Sequence, residues 1–292
     1  MSTLVLGTFD GVHRGHQALI ERAGAFAGPV IACTFSTPPA AFFKQNVKLL
    51  TTAEEKTALL KAYGADEVFM QVFDEKKAAV PAEEYIGWLC RRFRPQTIVA
   101  GFDHTFGQKA KGNCILLKQL GEKYGYQTEI VPPVLDSRQR VISSTGIRSA
   151  LYSGEVETAA LLLGRSYSVC GPTVHGRHIG QSIGFPTVNT CVPEEKLIPQ
   201  RGVYATICRL GGRLYKGMTN IGVNPTVTSE EKLSVETHLL GFRGDVYGKK
   251  AVVSFLKKIR DEKKFSSVEA LKRQLSEDAL LINAYIRTLQ ET

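Results

Sequence analysis

Between residues 167 and 258 the chain runs through six β-type segments with no helical period between them. They cover 167–174, 187–192, 203–210, 214–218, 234–242 and 251–257, rich in Val, Ile, Thr and Tyr and separated by Gly, Pro and Asn. Strands that follow one another without crossover helices pair antiparallel, as a barrel or sandwich. The first 163 residues read differently. Strand-type runs at 3–6, 30–35, 67–72, 97–101 and 128–131 alternate with helical patterns at about 16–27, 52–63, 82–93 and 114–124. Thr52-x-x-Glu55 is a capping box for one of these helices. Repeated βα units of this length predict a doubly wound parallel sheet with ligands at the carboxyl ends of its strands. The pattern changes near Gly164, which predicts domains at 1–163 and 164–292. The chain closes with a helix, read from a Ser266-x-x-Glu269 capping box and an apolar stripe of Val268, Leu271, Leu275, Ile282, Ile286 and Leu289.

Composition narrows the function classes. The 292 residues are 43% hydrophobic and 22% charged, as in globular proteins. No run approaches the roughly 20 apolar residues of a membrane span, and no membrane partner is expected. The sequence opens on a strand without a basic, then apolar, leader, so a cytoplasmic protein is expected. Six cysteines at 33, 90, 114, 170, 191 and 208 form no Cys-x-x-Cys pair and read as reduced thiols, not a zinc site. The net charge of +9 comes from basic residues interspersed with acids, as in Asp261-Glu-Lys-Lys264. That suits small polyanions such as ATP, and no nucleic acid partner is expected.

The densest chemistry lies in Gly7-Thr-Phe-Asp-Gly-Val-His-Arg-Gly-His16, directly after the apolar run Leu4-Val-Leu6. A strand-to-helix junction is where phosphates sit in an open α/β sheet. His13 and His16 are three apart and point the same way in a first helical turn. Gly15 leaves room between them for a ligand. Two imidazoles beside helix amides suit a triphosphate and so point to nucleotidyl transfer. Ile142-Ser-Ser-Thr-Gly-Ile-Arg148 opens a later helix, and Ser144 and Thr145 can cap it or hold a phosphate. Arg148, one turn on, can reach the same phosphate. Gly101-Phe-Asp-His-Thr-Phe-Gly107 sits at a strand end and suits a substrate-lining loop.

A second constellation belongs to the second domain. In Gly184-Phe-Pro-Thr-Val-Asn189, Thr187 and Asn189 are two apart and share one face of a strand. A hydroxyl and an amide oxygen there can help ligate Mg²⁺ bound to ATP. Gly171, Gly176 and Gly180 punctuate the preceding stretch, whose amides can cover phosphates.

These residues together resemble the prokaryotic bifunctional riboflavin kinase/FMN adenylyltransferase (FAD synthetase) family over roughly residues 1–290. The first module is carried by the 7–16, 101–107 and 142–148 motifs. The second is carried by 184–189, Gly202-Val-Tyr204, Asn220-Ile-Gly-Val-Asn-Pro-Thr226, Val235-Glu-Thr-His238, Asp245-Val-Tyr-Gly248 and Ile259-Arg-Asp-Glu-Lys-Lys-Phe265. The resemblance implies a nucleotidylyltransferase domain followed by a six-stranded antiparallel barrel with a C-terminal helix. It implies phosphorylation of riboflavin to FMN, then adenylylation of FMN to FAD, with ATP and Mg²⁺. In the first domain it assigns His13 and His16 to catalysis and Gly7, Phe9, Gly15, Asp103, Ser144, Thr145 and Arg148 to the nucleotide. In the second it makes Glu236 the catalytic base, with Val235, Thr237 and Leu239 on the opposite face. Gly171, Gly176, Gly180, Thr187 and Asn189 would hold the nucleotide, the last two through the metal. A monomer or weak homo-oligomer is expected.

Five positions depart from the family pattern. An acid and a His common near residue 37 are replaced in Phe35-Ser-Thr-Pro-Pro39, a basic residue common before Ile142 is Val141, and an Arg in the Ser-Ser-Thr motif is Gly146. In the kinase loop a Gly-Arg pair reads Gly180-Gln181. Two other readings remain open on these residues: a kinase whose first domain has lost its activity or changed substrate, and a flavin- or RNA-binding regulator built on the basic barrel.

Overall fold

The computed structural model describes residues 2–44, 47–174, 184–224, 232–242 and 248–289. The chain divides into two compact units, Met1–Gly146 and Ile147–Thr292.

The first unit is a five-stranded parallel sheet in the order β3-β2-β1-β4-β5. Its strands are β1 Ser2–Leu6, β2 Val30–Phe35, β3 Glu67–Gln71, β4 Pro95–Gly101 and β5 Gln127–Val131. The β1 strand is buried at all five positions because helices cover both faces of the sheet. Leu4, Leu6, Ile98 and Ala100 face α5 (Ala82–Phe93) and α6 (Cys114–Tyr124). Val5, Ala32 and Val99 face α1 (Arg14–Ala23) and α3 (Ala53–Ala62). The period of two therefore sorts each strand between two apolar layers, as the near-continuous apolar runs predict. The α3 capping box is present: Glu55 N donates to Thr52 Oγ1 at 3.2 Å, and Thr52 N donates to Glu55 Oε2 at 2.9 Å. Two short helices escaped the sequence reading, α2 (Pro39–Phe43) and α4 (Glu75–Ala78). Chain order runs β1-β2-β3 to one side and β4-β5 to the other, so a crevice opens between the carboxyl ends of β1 and β4.

Helix α7 (Ser144–Tyr152) straddles the division, and α8 (Val156–Leu163), also unread in the sequence, ends at Gly164 with φ +71°. A left-handed residue there is a glycine's place.

The second unit is a closed barrel in the order β10-β7-β6-β11-β8-β9. Its strands are β6 Ser168–Val174, β7 Thr187–Thr190, β8 Gly202–Leu210, β9 Arg213–Asn224, β10 Lys232–Leu239 and β11 Lys250–Arg260, and every pairing is antiparallel. Inside the barrel the hydroxyls of Thr206, Thr219 and Thr237 join in a chain at 2.8 and 2.9 Å, so three buried polar groups satisfy one another. Outside, Val203, Ala205 and Met218 are covered by Ile282 and Ile286 of α9 (Val268–Thr288). The cap of α9 is Ser267, which accepts from Ala270 N at 3.1 Å, one residue later than the predicted Ser266. The apolar stripe is correspondingly shorter: Ile282 and Ile286 are buried while Val268 and Leu289 are exposed.

Arg260 at the end of β11 fastens α9 through Asp278, with Nε to both carboxylate oxygens at 2.9 and 3.2 Å. Asp278 is 1% exposed, so removing it strands a nearly buried guanidinium. Asp278→Ala is expected to destabilise the barrel unit by about 3–5 kcal/mol in urea denaturation.

Candidate functional sites

Residues 7–13 join β1 to α1 through a turn that most side chains resist. Phe9 and Val12 hold φ of +49° and +41°, and Gly11 holds +84°. Strain of this kind persists where surrounding contacts impose it. Asp10 Oδ1 accepts from Leu50 N at 3.0 Å and Thr51 N at 3.2 Å, and Gly11 N donates to Thr51 Oγ1 at 3.0 Å. Ser144 Oγ donates to Asp10 O at 2.8 Å, which draws the start of α7 to the same turn.

The turn presents His13 and His16 together. His13 is the N-cap of α1, and its Nδ1 accepts from His16 N at 3.4 Å. That bond leaves the His13 proton on Nε2. The two rings stack at 3.6 Å between centroids, and Phe9 meets His16 edge-on at 5.2 Å. A Cβ at Gly15 would lie 3.1 Å from the His13 ring, and one at Gly7 would lie 2.9 Å from the Phe9 ring. Burial, then His13 and Lys56, hold the His16 imidazole well below its ordinary pKa. His16 is therefore neutral at pH 7 and can act as a single donor or acceptor. Its Nδ1 is buried without a hydrogen-bond partner.

Both histidines line a cavity of about 580 Å³ formed wholly by residues of the first unit. Gly7, Gly15, Asp103 and Ser144 line it too. Part of its lining is aromatic: Phe73 packs edge-on against Phe35 at 5.2 Å and Phe43 at 5.7 Å. Ser143 lines it beside Ser144 in sequence. Ser143 Oγ accepts from Gly146 N at 3.2 Å, so Ser143 caps α7. The amides of Ser144 and Thr145 then stand at the helix start, where an anion is favoured. Phe9 is fully buried beneath the turn and Thr145 is exposed; neither lines the cavity. Arg148 lies one turn further along α7.

His104 is a cavity residue that the loop motif contained but sequence gave no reason to single out. Its ring stacks on Phe106 at 5.8 Å, and its Nε2 is buried without a partner. Burial lowers its pKa to about 4.

In the second unit, strand register assembles the site. Glu236 on β10 lies directly opposite Asn189 on β7 and opposite Asn220 on β9. His238 lies opposite Thr187. Directly opposed residues share a face with Cβ atoms about 4.5–5.5 Å apart. Thr187, Asn189, Asn220 and Glu236 therefore gather on the outer face of the barrel, while Val235, Thr237 and Leu239 are buried on the inner one. Sequence did not associate Asn220 with Glu236; only the pairing does. His238 Nδ1 lies 2.8 Å from Pro186 O and its ring meets Phe185, which fixes the approach to β7. The oxygen donors on this face suit Mg²⁺, which takes few protein ligands and keeps water and phosphate in its shell. Among the described residues no group of three or more His, Cys, Asp or Glu could hold a metal by itself. Gly171 is a strand residue of β6, where a Cβ would come within 1.9 Å of Cys191 O. Its requirement is thus steric. Gly176 and Gly180 lie outside the described residues, as do 225–226 and 245–247 of the motifs.

A nucleotide-sized crevice at a sheet switch point and a carboxylate beside oxygen donors on a barrel define a two-domain phosphate-transfer enzyme. The FAD synthetase family model matches residues 1–146 and the riboflavin kinase family model matches 163–286. Relatives described as bifunctional riboflavin kinase/FMN adenylyltransferase include one from Listeria monocytogenes, 34% identical over 99% of this chain and 93% of its own length. One from Escherichia coli K12 is 36% identical over 95% and 90%, and one from Bacillus subtilis 33% over 99% and 94%. A crystal structure from Streptococcus pneumoniae, described as a macrolide-efflux protein, is 33% identical with a TM-score of 0.88 over 97% of this chain and 93% of that one. No helix among the described residues is long and apolar enough to cross a membrane. The chain belongs to the bifunctional riboflavin kinase/FMN adenylyltransferase family and carries both of its domains.

The buried imidazole of His104 gives the first unit a pH signature. Its folded pKa of about 4 lies below the ordinary 6.5, so between those values the unfolded chain binds a proton that the folded one does not. Stability falls as pH drops through that window, by up to about 3 kcal/mol. His104→Phe should flatten this slope in urea midpoints taken from pH 7 to pH 4.

Proposed function

We propose that the cavity of the first unit joins AMP from ATP to FMN and that the outer face of the barrel phosphorylates riboflavin. The stacked His13–His16 pair at the end of β1 carries the first assignment. An FMN phosphate oxygen attacks the α-phosphorus of ATP, and the bond to the pyrophosphate breaks. The nucleophile is already anionic, so no strong base is required. The task is positioning and neutralising charge. His13 and His16 donate to the phosphates, the α7 amides and Arg148 hold the leaving pyrophosphate, and Asp103 lines the nucleotide site.

The second assignment rests on Glu236 opposite Asn189. Here the nucleophile is a neutral 5′-hydroxyl, which needs a base in position. Glu236 takes its proton as the oxygen attacks the γ-phosphorus, and ADP leaves. Thr187 and Asn189 would hold Mg²⁺ together with the nucleotide phosphates, and the ion would supply charge neutralisation on the transferring group. Six free cysteines suit a reducing, cytoplasmic compartment. We read the protein as a monomer or weak homo-oligomer that works on small molecules, without a nucleic acid or membrane partner.

Glu236→Gln is expected to lower FMN formation by about 10²–10⁴-fold while FAD formation from supplied FMN survives. His16→Ala is expected to do the reverse, lowering FAD formation by about 10²–10³-fold. Product chromatography with each flavin separates the two. Loss of both activities from one folded variant contradicts the two-site assignment.

A further inference from the structure

Lys56 belongs to helix α3, where its neighbours in sequence read as an ordinary solvated face. It is instead 0% exposed. Its Nζ donates to Thr8 O at 3.0 Å and to Phe35 O at 2.7 Å. Thr8 follows β1 and Phe35 ends β2, and both line the cavity. The ammonium therefore ties together two strand ends that form one wall of the site. A neutral donor such as glutamine can also bond two carbonyls, and burying it costs far less than burying a charge. What the lysine adds is the charge. A fixed cation beneath a phosphate-binding turn, in a poorly solvated setting, acts strongly on anions above it.

We propose that Lys56 is a positioning residue of adenylyl transfer, clipping the ends of β1 and β2 together and holding a positive charge beneath the phosphates. This rests on the reading of the cavity as the adenylyl-transfer site. The charge acts in two directions. It attracts the phosphates, and it helps keep His16 neutral.

Titration separates charge from packing. Burial brings the Lys56 ammonium down to about 8, with Asp10 opposing the shift. The other group facing it is His16 on α1, stacked on His13, whereas the carboxylate of Glu55, its neighbour on α3, is turned to the helix cap and accepts from Thr52 N. Of the cavity's further titratable groups, burial lifts Cys33 to about 12 and raises Tyr85 as well. Lys77 and Lys109 also line the cavity and serve as controls. The phosphates of ATP and FMN are fully ionised above about pH 7.5, since their last pKa is near 6.

The test is the pH dependence of kcat/KM for FMN adenylylation from pH 7 to 9.5 in the full-length enzyme. The wild type should lose about tenfold or more as pH rises through 8. The limb in kcat should lie at higher pH, because bound phosphates favour the ammonium. Lys56→Gln should be about 10–100-fold slower at pH 7 and show no limb, while Lys77→Met and Lys109→Met retain it. The proposal is overturned by a flat wild-type profile, which no folding defect can explain. A limb that survives in Lys56→Gln overturns it equally. If His16→Ala leaves adenylylation intact, the reading of the cavity fails instead, so the two failures are told apart.

Discussion

The turn between β1 and α1 spans residues 7–13 and reverses the chain through backbone angles that favour glycine, two of them held by Phe9 and Val12. It is held there by side chains beneath it. Asp10 receives the amides of Leu50 and Thr51, Thr51 receives the amide of Gly11, and Lys56 takes the carbonyl of Thr8. The turn in turn stacks His13 on His16 and receives the hydroxyl of Ser144. The turn that carries the two histidines thus depends on polar groups that do not line the cavity. Buried networks of this kind are worth their desolvation only when fully satisfied.

The barrel solves the same problem by alternation. One face of each strand is inside, where three threonine hydroxyls satisfy each other, and the other face is free for chemistry or for α9. A one-residue slip of β10 would exchange Glu236 for Thr237 and bury the carboxylate. Register is therefore a functional constraint here, while the Arg260–Asp278 pair seats α9 from β11, which does not adjoin β10.

Much of this was legible in the sequence. The parallel sheet followed from period and connection length, and the second half read as six antiparallel strands in a barrel or sandwich, the barrel being what the family resemblance implied. The Gly7–His16 motif pointed to the strand-to-helix junction whose Gly7, His13, Gly15 and His16 line the cavity. Short helices such as α2 and α4 were missed, since one turn of helix leaves no period to read. The α9 cap fell on Ser267 because two adjacent serines offer the same signal. Lys56 was invisible for a better reason: a lysine in a charged helical stretch is nearly always solvated, and only the third dimension shows two carbonyls waiting for it. The pairing of Glu236 with Asn189 and Asn220 likewise needs register, which composition does not encode.

The central claim is that two complete and separate chemistries share one chain, linked only by FMN. Mixing the Glu236→Gln and His16→Ala variants tests it most directly. Neither alone should convert riboflavin to FAD, and an equimolar mixture with riboflavin, ATP and Mg²⁺ should, after a lag in which free FMN accumulates. A mixture of folded, singly active variants that still makes no FAD from riboflavin would contradict the account.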